Sequence, residues 1–81
     1  MELHECIVSL PVGTYKVRYE ERLWIMSVQH RAAGGVVKIW AEELGGSDFI
    51  SANYYPALQL LKPCEMPREK VERFLLRAQH L

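Results

Sequence analysis

Residues 14–28 read Thr14-Tyr15-Lys16-Val17-Arg18-Tyr19-Glu20-Glu21-Arg22-Leu23-Trp24-Ile25-Met26-Ser27-Val28. Tyr15, Val17 and Tyr19 alternate with Thr14, Lys16 and Arg18, the period of two that sends apolar groups to one face of a half-buried strand. Leu23 to Val28 is a second apolar run. If Glu20-Glu21 is a two-residue reversal, Val17 pairs with Trp24 and Tyr15 with Met26. Trp24, Met26 and Val28 then share a face with Tyr15, Val17 and Tyr19, and Leu23 and Ile25 turn to the other.

The same grammar extends in both directions. Upstream, Glu5 to Leu10 reads as a short strand, with Pro11-Val12-Gly13 as a turn into Thr14 to Tyr19. Downstream, Arg31-Ala32-Ala33-Gly34-Gly35 is a turn whose glycines are expected to take positive φ, and β-branched Val36 to Ala41 follows. Gly45-Gly46-Ser47 marks another reversal before a strand from Phe49 to Tyr55. The period then changes: Val71, Phe74, Leu75 and Ala78 recur at helical spacing. Pro67 suits a first helical position, and Glu69 lies in the first turn, where the helix dipole favours an anion. A helix from Pro67 to Gln79 is expected.

The predicted fold class is therefore α+β: a four- or five-stranded antiparallel meander with one C-terminal helix packed on one face. A small β-barrel with a capping helix satisfies the same spacing of strands and turns. At 81 residues, 49% of them apolar and 25% charged, the chain suits one globular domain, 1–81. Ten basic residues balance ten acidic ones. They alternate in sign along the chain, so a mixed solvated surface is expected, without a general attraction to nucleic acid or to an anionic membrane. The acidic start, Met1-Glu2-Leu3-His4-Glu5, and the lack of a long apolar run point to a cytoplasmic protein with no membrane partner. Cys6 and Cys64 accordingly read as reduced thiols.

No catalytic, metal or cofactor motif emerges. His4, Cys6, His30, Cys64 and His80 lack the paired spacing of a zinc site. No serine lies in a Gly-x-Ser-x-Gly turn, and the glycine pairs lack the flanks of a phosphate loop. Adjacent acids at Glu20-Glu21 and Glu42-Glu43 point to opposite faces of a strand, which separates their carboxylates. Cys64, just ahead of the predicted helix, is placed where a thiol pKa can fall, although Glu65 opposes that and no base is assigned.

What remains is an apolar surplus. One helix covers one sheet face, leaving Leu23, Ile25 and, by the same alternation, Ile7 and Trp40 on the other. Asn53-Tyr54-Tyr55-Pro56 adds tyrosines suited to stacking or pocket filling, with one expected in the core. The expected function is a non-catalytic protein-interaction or regulatory module, binding a partner or itself through Leu23, Ile25, Trp40, Tyr54 and Tyr55. A single-stranded nucleic-acid binder is the alternative, with Tyr54 and Tyr55 stacking and Lys16, Arg18 and Lys38 contacting the backbone. A small thiol enzyme centred on Cys64 is the third reading.

Overall fold

The computed structural model describes residues 2–81. Helix α1 spans Leu3–Val8, followed by strands β1 (Gly13–Tyr19), β2 (Arg22–Arg31), β3 (Val36–Glu43) and β4 (Phe49–Tyr55). A 3₁₀ turn at Pro56–Leu58 leads into β5 (Leu60–Pro63), helix α2 (Arg68–Arg77) and a two-residue strand β6 (Gln79–His80). All pairings are antiparallel, and the strand order is β5-β4-β3-β2-β1-β6. The fold is α+β, with the C-terminal helix packed on one face of a six-stranded open sheet rather than a closed barrel.

The central hairpin has the register its alternation implies: Val17 faces Trp24 and Tyr15 faces Met26. Val17, Tyr19, Trp24, Met26 and Val28 are buried, as are Val37, Ile39 and Ala41 of β3 and Ile50, Ala52 and Tyr54 of β4. Against this face α2 lays Val71, Phe74 and Leu75. Phe74 meets Trp24 and Tyr19 with ring centroids 4.9 and 5.0 Å apart, and the Tyr19 and Trp24 rings stand edge to face. The Trp24 indole N–H has no hydrogen-bond partner among the described residues.

The first segment differs from the expected strand. Residues 3–8 form a helix, and Ile7 is wholly buried rather than on the outer face. Leu3, Cys6, Ile7 and Leu10 have the i, i+3, i+4, i+7 spacing of a helical stripe, which a run this short shares with a buried strand. The Cys6 thiol donates to the Leu75 carbonyl at 2.9 Å, tying α1 to α2. Pro11-Val12-Gly13 is accordingly a link between helix and sheet rather than a hairpin turn, with Gly13 entering β1 at φ 128°.

The other end also differs: the helix expected from Pro67 to Gln79 spans Arg68–Arg77, and the residues after it turn into a strand. Pro67 caps α2 from the outside with extended backbone, and Ala78 leaves the helix with φ −64° and ψ 140°. Gln79 and His80 then pair with Arg18 and Val17, and the His80 ring packs on Tyr15. Together with β5, this makes six strands.

Two reversals place residues other than glycine in left-handed backbone. Glu20 and Glu21 have φ 50° and 64°, the geometry of a two-residue type I′ hairpin, and Ala32 and Ala33 both have φ 53°. Of the two glycines in the second turn, only Gly34 takes positive φ. A side chain in this region costs about 1–2 kcal/mol, so packing of the flanking strands holds these turns. Replacing Glu20-Glu21 with Asn-Gly is expected to raise unfolding free energy in urea by about 1–2 kcal/mol; an unchanged midpoint would contradict the turn assignment. Phe74→Ala is expected to lower it by about 3–5 kcal/mol, and Arg73→Ala to change it little. Equal losses from the two would overturn the orientation of α2.

Candidate functional site: the open face of the sheet

Both helices lie on one side of the sheet, so the alternate residues of each strand face away from the core. Register arranges these outward residues in rows across the strands. One row runs Phe49, Glu42, Ile25, Lys16; the next runs Ser51, Trp40, Ser27, Thr14; a third runs Lys62, Asn53, Lys38, Gln29. Rows of this kind are about 6.6 Å apart and strands about 4.8 Å. Trp40, on an inner strand and in the middle row, occupies the centre of the face.

The apolar members gather around and below Trp40. Trp40, Phe49 and Leu23 are each 39% exposed. Trp40 and Phe49 stack with ring centroids 5.3 Å apart. Leu44 is exposed beside Leu23, its N–H donating to the Leu23 carbonyl at 2.9 Å. Ile25 is half-buried between its cross-strand neighbours Lys16 and Glu42. The Trp40 indole N–H donates to the Glu42 carboxylate at 3.0 Å, which fixes the ring's tilt. Depressions flank the ring: one of about 230 Å³ is lined by Ser27, Gln29, Arg31, Lys38 and Trp40. The other, of about 220 Å³, lies toward Phe49, Glu43 and Asp48.

Of the five residues that sequence reasoning placed on this surface, Leu23, Ile25 and Trp40 lie together here, and Tyr55 is half-buried at the far end of β4. Tyr54 does not join them. It is 2% exposed, on the core side, with its hydroxyl hydrogen-bonded to His4 Nδ1. Burial, with the Glu2 carboxylate adding to it, raises the Tyr54 pKa. Adjacent strand residues face opposite ways, so one of the pair had to be internal, and the buried Ala52 and Ile50 select Tyr54. Phe49 and Leu44 were missed; Phe49 follows the same parity as Tyr55, and that count would have found it.

The expectation of an evenly mixed surface also changes. Lys16, Arg18, Arg31, Lys38 and Lys62 all face outward from the strands, against Glu42 on β3 and, at the rim beside Phe49, Glu43 and Asp48, each already paired with a cation of its own. The face thus carries four net positive charges, and with ten cations and ten acids in the chain the rest carries four negative. Among the described residues the three ion pairs, Arg22–Glu43, Arg68–Glu72 and Lys70–Asp48, involve none of the five outward cations. The Lys70 hydrogen bond lowers the Asp48 pKa, so this contact contributes stability above the ordinary carboxylate range and loses it as pH falls through the depressed value.

Elsewhere, Cys64 is exposed and its N–H extends β5 by donating to the Ser51 carbonyl. The histidines are placed apart from it: His4 bonds Tyr54, His80 packs on Tyr15, and His30 pairs with Val37 near the end of β2. Among the described residues no group of three or more His, Cys, Asp or Glu side chains is gathered as a metal site. No described helix is long and apolar enough to cross a membrane. No family model, curated protein or solved structure matches this chain.

Ile25→Lys is expected to leave the thermal midpoint within a few degrees of the parent, because its long stem can lie along the face with the ammonium in water. Val28→Lys, which inserts the charge into the core, should unfold the domain. Circular dichroism melts read both; a collapse with Ile25→Lys would show that the outer face is itself buried by something within the chain.

Proposed function

We propose that the chain is a non-catalytic binding module whose open sheet face docks a protein partner. The observation that carries this reading is the apolar cluster of Leu23, Ile25, Trp40, Leu44 and Phe49, exposed or half-buried while both helices pack on the opposite face and only the Lys70 ammonium of α2 reaches over Phe49. Exposed apolar clusters rimmed by polar groups are characteristic of interaction surfaces. Tryptophan at the centre of such a face is the residue type that most often dominates binding energy. Tyr55 extends the surface toward β5. Face-to-face pairing of two copies would oppose like charges, which favours a partner of different sequence over self-association. Two free thiols, one of them exposed, support a reducing compartment such as the cytoplasm.

A second reading is carried by the combination of Trp40, Phe49 and Tyr55 with five cations on one sheet, the ingredients of a single-stranded nucleic-acid platform. It is the weaker of the two, because three of the five residues of the apolar cluster are aliphatic and offer no ring to stack on. The thiol-enzyme reading has no base beside Cys64 behind it.

Selection of random 16-residue peptides displayed on phage against the immobilised chain tests the docking reading. Enriched peptides are expected to lose binding to Trp40→Ala and Ile25→Lys and to keep it with Arg73→Ala, on the helix side. Peptides indifferent to both outer-face substitutions would contradict it.

A further inference from the structure

The docking reading leaves the chemistry of the occupant open, and the placement of charge narrows it. On that reading, we infer that the partner presents an acidic polypeptide segment with aliphatic or aromatic anchors, seated across β3 with Trp40 at its centre. The cations form two groups on either side of the apolar cluster. Lys16 and Arg18 stand on β1 beside Ile25 and Leu23, while Lys38, Arg31 and Lys62 lie beyond Trp40 toward the other end of the strands. None is neutralised by an ion pair among the described residues. Their field is therefore available to a ligand, and a segment crossing the cluster meets cations before and after its anchors.

The shape of the cluster separates polypeptide from nucleic acid. Leu23, Ile25 and Leu44 match branched or aromatic side chains but give no stacking plane for a base. Phe49 packs against one face of Trp40, and Glu42 holds its indole N–H, so the ring is committed to one tilt. Glu42 itself, in the middle of the path, opposes a phosphate chain. A peptide meets this more easily, since its charges can be spaced to leave a neutral residue there. The depression lined by Ser27, Gln29, Arg31, Lys38 and Trp40 accepts one side chain beside the ring. Opposite charge steers such a segment to the face and fixes its register, and the apolar anchors hold it.

Fluorescence anisotropy on the full chain tests this with three labelled probes of equal length. They are a 12-residue peptide with glutamates flanking a central Leu-Phe pair, the same peptide with glutamine for each glutamate, and a 12-nucleotide oligothymidylate. At low ionic strength the glutamate peptide is expected to bind at least about tenfold more tightly than its glutamine counterpart, with the advantage shrinking as salt is raised. The double variant Lys16→Glu, Lys38→Glu should abolish that advantage, and Trp40→Ala should weaken both peptides, with thermal melts confirming that each variant is folded. Equal binding of the two peptides would overturn the charge inference while leaving the docking reading intact. Tighter binding of oligothymidylate, lost in Trp40→Ala, would overturn it in favour of nucleic acid. No binding of the glutamate peptide would overturn it as well, and the peptide selection decides the docking reading independently.

Discussion

The pairing of Val17 with Trp24, across the Glu20-Glu21 turn, sets the orientation of every side chain on the two strands that begin the sheet. A slip of one residue would exchange the faces: Leu23 and Ile25 would enter the core, and Trp24 and Met26 would leave it. Because β3 pairs with β2 and β4 with β3 in turn, the choice propagates across the sheet. The turn is not what enforces it, since two glutamates at positive φ are an unfavourable pair there. The contact of Trp24 with Tyr19 and Phe74 decides the register, and α2 is the element that makes the choice favourable.

From that choice follows the division of the molecule into a covered and an open side. Helices α1 and α2 both sit on the Trp24 side, joined by the Cys6–Leu75 hydrogen bond, and neither continues around the sheet. The open side keeps an apolar centre that water solvates poorly, with cations on either side of it whose like charge opposes face-to-face pairing of two copies. The two features act together: without the cations the cluster would favour self-association, and without the cluster the cations would give only weak, salt-sensitive attraction.

Much of this was legible in the chain. The alternation in residues 14–28 gave the hairpin and its register, Phe49 to Tyr55 matched β4 to the residue, and the spacing of Val71, Phe74 and Leu75 gave α2 and its buried stripe. The failures have physical causes. Residues 3–8 make too short an apolar run for a period of two and one of 3.6 to be told apart, so Ile7 went to the wrong layer. β5 and β6 have four and two residues, too few to show any period, and are strands because an edge was available to them. The charge asymmetry was hidden because signs mix along the chain, whereas a strand sorts residues by parity. Lys16 and Arg18, two apart, land on one face, and Glu20 and Glu21 fall in the turn.

The two tryptophans report on the two sides directly. In the single-tryptophan variants Trp40→Phe and Trp24→Phe, quenching of the remaining indole by iodide and by caesium measures both its exposure and the sign of the local potential. Trp24, 3% exposed, should resist both ions; Trp40, 39% exposed and flanked by unpaired cations, should be quenched, and more strongly by iodide than by caesium at low ionic strength. Ready quenching of Trp24, or preferential quenching of Trp40 by caesium, would contradict the assignment of faces and of charge on which the account rests.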